Sequence, residues 1–297
     1  MKVLVSGSTG FIGSALVARL KELGHDPVRL VRRRGAGEEP EVLWEPAGGA
    51  INPAGLEGIE GVVHLSGENI ASGRWTTEKK QRLLDSRINT TDLLCRALAQ
   101  LAQPPRVLVS ASAIGYYGDQ GDAVLDETAA PGHGFLADIC QQWENATAPA
   151  AEAGIRVANV RIGAVLDPAG GLLGMMLRPF KLGLGGVIGP GTQYMSWITR
   201  DDVVGAFVHC LEMDRLSGPV NGMTPQPVTN REFTKALGAA LHRPTLFPMP
   251  AFAVKVLFGE MGENLMLAST RAVPRRLEET GYQFRHPDIE TALADLL

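Results

Sequence analysis

Residues 7–13 read Gly-Ser-Thr-Gly-Phe-Ile-Gly, with a glycine at every third position: Gly7, Gly10 and Gly13. That spacing suits a phosphate. One glycine permits a tight turn, the next lets backbone N–H groups approach an anion, and the third lets a helix pack closely on a strand. A pyrophosphate there would face the N-terminus of the following helix, which carries about half a positive charge and several unpaired donors. The rival phosphate cradle, the P-loop, needs Lys and then Ser or Thr after its last glycine, whereas Ser14 and Ala15 follow Gly13.

Which dinucleotide the turn would take is read at the end of the second strand. An NAD site places Asp or Glu there for the ribose 2′-hydroxyl, and an NADP site places arginine for the 2′-phosphate. Arg32, Arg33 and Arg34 stand at this point, and the first acid after them is Glu38. NADP is the cofactor this favours; otherwise the arginines are a solvated loop. Other chemistry has little support. The six histidines form neither an H-E-x-x-H pattern nor a close pair, so no metal site is expected. Cys95, Cys140 and Cys210 are far apart and odd in number, which reads as buried thiols of a reducing compartment.

The elements that must position these residues follow from periodicity. Lys2–Ser6 is a β-branched run ending at the glycine turn, and Ile12, Leu16, Leu20 and Leu23 then recur at helical spacing until Gly24. Strands are expected at 27–31, 61–66, 106–112 and 155–162, and helices at about 77–102 and 134–153. The segment 35–58 reads as loop with one short strand near 42–44. Alternating strand and helix means a parallel sheet. After residue 162 glycine and proline become dense, and regular winding is expected to stop. A small helical appendage is expected from about Arg243, and Asp201 and Asp202 are expected to cap a helix starting near Val203.

The motifs GSTGFIG, HLSGENI (64–70) and SASAIGYYGD (110–119) resemble the extended short-chain dehydrogenase/reductases of the NAD-dependent epimerase/dehydratase superfamily. RINTTDLL (87–94), RPFKLGLGGVIGPGTQYMSWI (178–198) and NGMTPQPVTNREF (221–233) are similar to one atypical subfamily, the YfcH / SDR39U1-type epimerase-family proteins, with a C-terminal DUF1731-like segment. The resemblance spans the chain. It implies an α/β fold, a doubly wound parallel sheet (NAD(P)-binding Rossmann fold) with a small C-terminal substrate-side domain: residues 1–240 for NADP, 241–297 for the appendage. It implies Thr9, Gly10, Phe11 and Ile12 at the pyrophosphate, Arg32 and Arg33 at the 2′-phosphate, and Leu65 and Ser66 on the adenosine–ribose side. Arg87 and Arg161 match further cofactor-contacting positions. A homodimer through the stretches 77–102 and 134–153 is the family expectation.

The superfamily's proton donor is a tyrosine followed four residues later by lysine. Tyr116, Tyr117, Tyr194 and Tyr282 are followed at that spacing by Gln120, Gly121, Ile198 and His286, so the pair is absent. The helix that would carry it reads GFLADICQQWE. Ser112 matches the substrate-polarising serine, and Tyr116 or Tyr117 follows it closely at the same sheet edge. Tyr116 is taken as the replacement donor, the alternative being that one of the two rings packs in the core and the other is exposed. Two readings stay open: an NADP(H)-dependent oxidoreductase or epimerase with a non-standard active site, and a non-catalytic NADP(H)-binding redox sensor. Glu68 and Asn69 either touch substrate or cap a turn; Trp75 and Trp197 either border the pocket or pack in the core.

At 297 residues, 45% hydrophobic and 20% charged, with formal net charge -4, the composition calls for neither nucleic acid nor an anionic membrane as partner. An unidentified small-molecule substrate and a cytoplasmic location are expected. Gly7, Gly10 and Gly13 interrupt the apolar N-terminus where a signal peptide needs a continuous apolar core.

Overall fold

The computed structural model describes residues 1–35 and 39–297; Glu38 lies outside them. Strand β1 (Lys2–Ser6) runs through the glycine turn into helix α1 (Phe11–Glu22), followed by β2 (Asp26–Val31), β3 (Glu41–Glu45) and the short β4 (Ala50–Ile51). Then come β5 (Gly61–His64), α2 (Thr77–Asp85), α3 (Ile88–Ala99), β6 (Val107–Ala113), β7 (Val124–Leu125), α4 (Phe135–Asn145), α5 (Ala148–Glu152) and β8 (Arg156–Ile162). Beyond them lie β9 (Ala164–Asp167), α6 (Gly171–Lys181), β10 (Tyr194–Met195), β11 (Trp197–Thr199), α7 (Arg200–Glu212) and β12 (Gly218–Gly222). The chain closes with β13 (Val228–Thr229), α8 (Asn230–Ala240), α9 (Ala251–Gly262), β14 (Arg271–Ala272), α10 (Arg275–Glu279) and α11 (Ile289–Leu296).

The main sheet has the order β12-β8-β6-β5-β1-β2-β3-β4, and its strand pairs are parallel apart from β3 with β4. Both faces are covered. Alternation along β1 sends Val3 and Val5 to a core shared with α1 and α7, and Leu4 to a core shared with α3 and α5. The chain winds from β1 toward β3 and then returns to β5 on the other side of β1. Ligands of open α/β sheets bind at such a reversal, outside the strands' carboxyl ends. Here that is the space beyond β1 and β5.

Three expectations need correction. Winding does not stop at residue 162, because β12 adds to the sheet parallel to β8. The stretches 77–102 and 134–153 are each two helices. The first breaks at Ser86–Arg87, where the Arg87 N–H turns to the Leu84 carbonyl three residues back, and the second breaks ahead of α5, which carries a proline in its first turn. Helix α7 starts at Arg200, with Thr199 as its cap; the Thr199 side chain accepts the Asp202 N–H. A third apolar cluster joins α6, α8 and α11 around Trp197 and Phe233. Cys95, Cys140 and Cys210 are buried free thiols. No helix among the described residues is long and apolar enough to cross a membrane.

Candidate functional site

The glycine turn opens on a cleft of about 1340 Å³ between the carboxyl ends of β1, β2 and β5. Gly7 has φ +64, and a Cβ there would come within 2.9 Å of the Leu65 backbone. A Cβ on Gly13 would overlap the Gly7 carbonyl, so α1 sits closer to the turn than any other residue would allow. Gly10, which lines the cleft, caps α1 without a side-chain hydrogen bond, so no capping side chain takes up the N–H groups of the helix's first turn. Ser6 ties the two strand ends together. Its Oγ accepts from the N–H groups of Leu65 (3.0 Å) and Ser66 (3.3 Å) and lies 2.7 Å from Nδ1 of the buried His64.

Gly7, Thr9, Gly10, Leu65 and Ser66 line this cleft, and Arg32 and Arg33 stand exposed along its β2 side. Arg29 lines it too, an unforeseen member: its Nε donates to Ser8 Oγ and its guanidinium is 3.5 Å from Glu39. The other expected residues lie elsewhere. Phe11 covers Gly170 and Gly171 and faces the Arg200 guanidinium, while Ile12 packs on the core and Gly13 under the turn. Arg87 turns back on its own chain. It donates to the carbonyls of Leu83 (3.2 Å) and Glu68 (3.0 Å) and lies over the Trp143 ring, so it shapes the 68–87 wall and does not line the cleft.

Arg161 is 3% exposed and belongs to a second constellation at the ends of β6 and β8. Its Nε and Nη2 donate to the two carboxylate oxygens of Glu144 (2.8 and 2.9 Å), and its Nη1 donates to the Tyr117 hydroxyl (3.0 Å). The guanidinium lies 3.4 Å from the ring centroid of Tyr116. Ser112 Oγ donates to Glu144 Oε1 at 2.7 Å, and the Tyr117 hydroxyl donates to Asn221 Oδ1 at 2.7 Å. Burial pushes the Tyr117 phenol up to about 12. Burial opposes the charge on Arg161, yet the Glu144 carboxylate holds that guanidinium above the ordinary arginine range. Glu144 thus joins Ser112, Arg161 and the tyrosine pair into one polar cluster.

Between the two groups runs the 67–76 loop. Lys79 holds the Glu68 carboxylate well below the usual range through a 2.6 Å ion pair, and also donates to the Asn69 carbonyl and to Ser72 Oγ. Asn69 Oδ1 accepts the Ala71 N–H, which is the turn-capping alternative. Trp75 packs on Phe135, and Trp197 is fully buried in the core.

Residues 3–221 match the NAD dependent epimerase/dehydratase family, and residues 249–296 match a domain of unknown function, DUF1731. The chain is an epimerase/dehydratase family protein. An epimerase family protein of Mycobacterium tuberculosis is 46% identical over 291 residues, covering 98% of this chain and 96% of that one. The structure of human epimerase family protein SDR39U1 with NADPH superposes with a TM-score of 0.91 at 36% identity, over 100% of this chain and 99% of the human one. A nucleoside-diphosphate sugar epimerase from Corynebacterium glutamicum gives a TM-score of 0.82 at 34% identity; this chain spans 58% of it.

In this family member the helix after β6 brings Leu136 and Cys140 against Gly115, four residues apart on one face. Burial pushes the Cys140 thiol up to about 12, so it stays protonated and apolar near neutral pH. Glu144, one turn further along α4, is the polar group of that helix that reaches Ser112. Sequence reasoning missed it. The only available signal was an acid at the end of an otherwise apolar helical face, next to Trp143.

Proposed function

We propose that the cleft binds NADP(H) and that this epimerase-family protein is an oxidoreductase or epimerase working without the tyrosine–lysine pair. The observation that carries the reading is the cradle that side chains at Gly7 and Gly13 would fill, opening on Arg32 and Arg33. A pyrophosphate fits the N–H groups of the turn and of the start of α1, and a 2′-phosphate fits the two arginines. The NADPH in the human relative's structure supports the same nucleotide here. When bound, the nicotinamide supplies a hydride donor or acceptor.

The residues that would handle the proton are Tyr116 and Ser112. The Arg161 guanidinium lies against the Tyr116 ring, and Ser112, whose O–H is given to Glu144, would have to turn that hydrogen to a substrate oxygen to polarise it. Residues 1–240 then form the cofactor-binding domain and 241–297 the substrate-side domain. One observation favours the second reading, a redox sensor without turnover: Ser112 is 1% exposed and already engaged, so a substrate carbonyl would have to displace existing contacts.

Calorimetric titration with NADPH and NADH tests the cofactor. Arg32→Ala/Arg33→Ala should weaken NADPH by about a hundredfold or more while leaving NADH unchanged, given about 1.5–3 kcal/mol for each charge-assisted contact. Equal affinity of the native protein for both nucleotides overturns it. NADPH oxidation with a panel of carbonyl compounds, slowed in Tyr116→Phe, separates the enzyme from the sensor.

A further inference from the structure

The C-terminal third leaves a set of large apolar side chains in water on one side of the molecule. Helix α9 turns Val254 fully inward, and on its opposite face Phe252 is 71% and Val256 68% exposed. Hydrogen bonds from the Phe247 N–H to the Gly185 carbonyl and from the Met249 N–H to the Val187 carbonyl join the loop after α6 to the approach to α9. Exposed Leu184, Leu246 and Phe247 therefore stand on adjoining backbone that leads directly into α9. Monomeric soluble proteins rarely leave so many neighbouring apolar side chains uncovered without a partner.

Cations frame this surface. Residues 168–200 and 233–259 contain no Asp or Glu, yet they include Arg178, Lys181, Arg243 and Lys255. Arg243 Nε donates to the Lys181 carbonyl at 3.1 Å, which gathers two of these charges at the end of α6. The acids that follow, Glu260 and Glu263, are taken by Lys80 and Lys255. Arg178, Lys181 and Arg243 have no carboxylate partner among the described residues.

An apolar face rimmed by unpaired cations is complementary to an anionic bilayer: the apolar side chains enter the headgroup–acyl boundary and the cations meet lipid phosphates. A second copy of the chain fits less well. A two-fold contact through this face would bring Lys181 and Arg243 toward their own counterparts. The helices expected to pair in a dimer, α2 to α5, carry none of the large exposed apolar side chains among the described residues.

Although the composition and net charge of the whole chain do not call for an anionic membrane, we propose that the local face built from α9, the loop after α6 and the 246–249 segment docks the protein peripherally on anionic lipid. The proposal stands apart from the cofactor reading, since the glycine cleft contributes nothing to it. The test is flotation of the full chain with vesicles of phosphatidylcholine alone or mixed with phosphatidylglycerol. At low salt the protein should float with the mixed vesicles only, and high salt should release it. Lys181→Glu/Arg243→Glu should lower partitioning by roughly thirtyfold or more. Phe252→Ser/Val256→Ser should also abolish flotation while leaving the melting temperature unchanged, because both side chains are already in water. Absence of flotation by the native chain, or equal flotation of all variants, overturns the proposal. So does a concentration-dependent dimer in sedimentation velocity that Phe252→Ser/Val256→Ser abolishes without any vesicle binding, which would make the face a self-association surface.

Discussion

His64 closes β5 with its imidazole wholly enclosed, its edge against Trp44 and its Nε2 without a hydrogen-bond partner. Because Ser6 Oγ already accepts two backbone N–H groups, its hydroxyl proton is given to His64 Nδ1, which fixes the neutral tautomer. Burial pushes this histidine down to about 4. The unfolded chain takes up the proton near pH 6.5, while the folded chain refuses it until about pH 4. Stability is therefore intact above pH 6.5 and lost as the pH falls through that window, by about 3 kcal/mol in total. His64→Gln removes the titration and should flatten that part of the acid limb. Urea unfolding of both proteins at intervals from neutral to acid pH measures the difference; parallel curves would mean that His64 is not held neutral.

At the scale of elements, α7 does more than cover the sheet. Thr199 caps it, and Asp202 in its first turn is 2% exposed, with Oδ1 accepting the Arg285 N–H (2.8 Å) and Oδ2 the His286 N–H (3.0 Å). The Tyr282 hydroxyl donates to the Asp202 carbonyl at 2.8 Å, so one helix start anchors the tail from 282 to 286. Asp202→Asn should cost about 3 kcal/mol, because an amide sets an N–H group against backbone N–H groups, whereas Thr199→Ala should cost about 1 kcal/mol. Limited proteolysis should cut first near Arg285 in the Asp202 variant alone. Sequence reading placed β1, β2, β5, β6 and β8 because each is a β-branched run bounded by glycine or a loop. It missed β12, Gly-Pro-Val-Asn-Gly, whose composition argues against a strand; pairing with β8 holds it, and Pro219 is tolerated because the strand is at the sheet edge. The glycine turn and Arg32–Arg33 were legible because their chemistry is local. The Ser112–Glu144–Arg161 cluster was not, since its members meet across 32 and 17 residues of chain.

For the whole molecule, the question is whether the C-terminal segment folds as a unit of its own. Its contacts argue against that. β14 pairs with β7, Ser196 Oγ bridges the carbonyls of Thr270 and Ala272, and Asn221 Nδ2 donates to the Val273 carbonyl beside the Tyr117 cluster. Ile289 and Leu293 of α11 are enclosed with Trp197 and Phe233, and Leu277 of α10 joins the core under α7. Burying each of these three large side chains contributes about 1.5–3 kcal/mol, so together they approach the 5–15 kcal/mol by which a typical protein is stable. A chain ended after Ala240 should therefore lose its cooperative urea transition, and Trp197 emission should shift to the red as its cover is removed. In the full chain, far-ultraviolet dichroism and tryptophan emission should report one coincident transition. A cooperative transition in the shortened chain would instead mean that the cofactor-binding part folds alone and that the tail is docked on it.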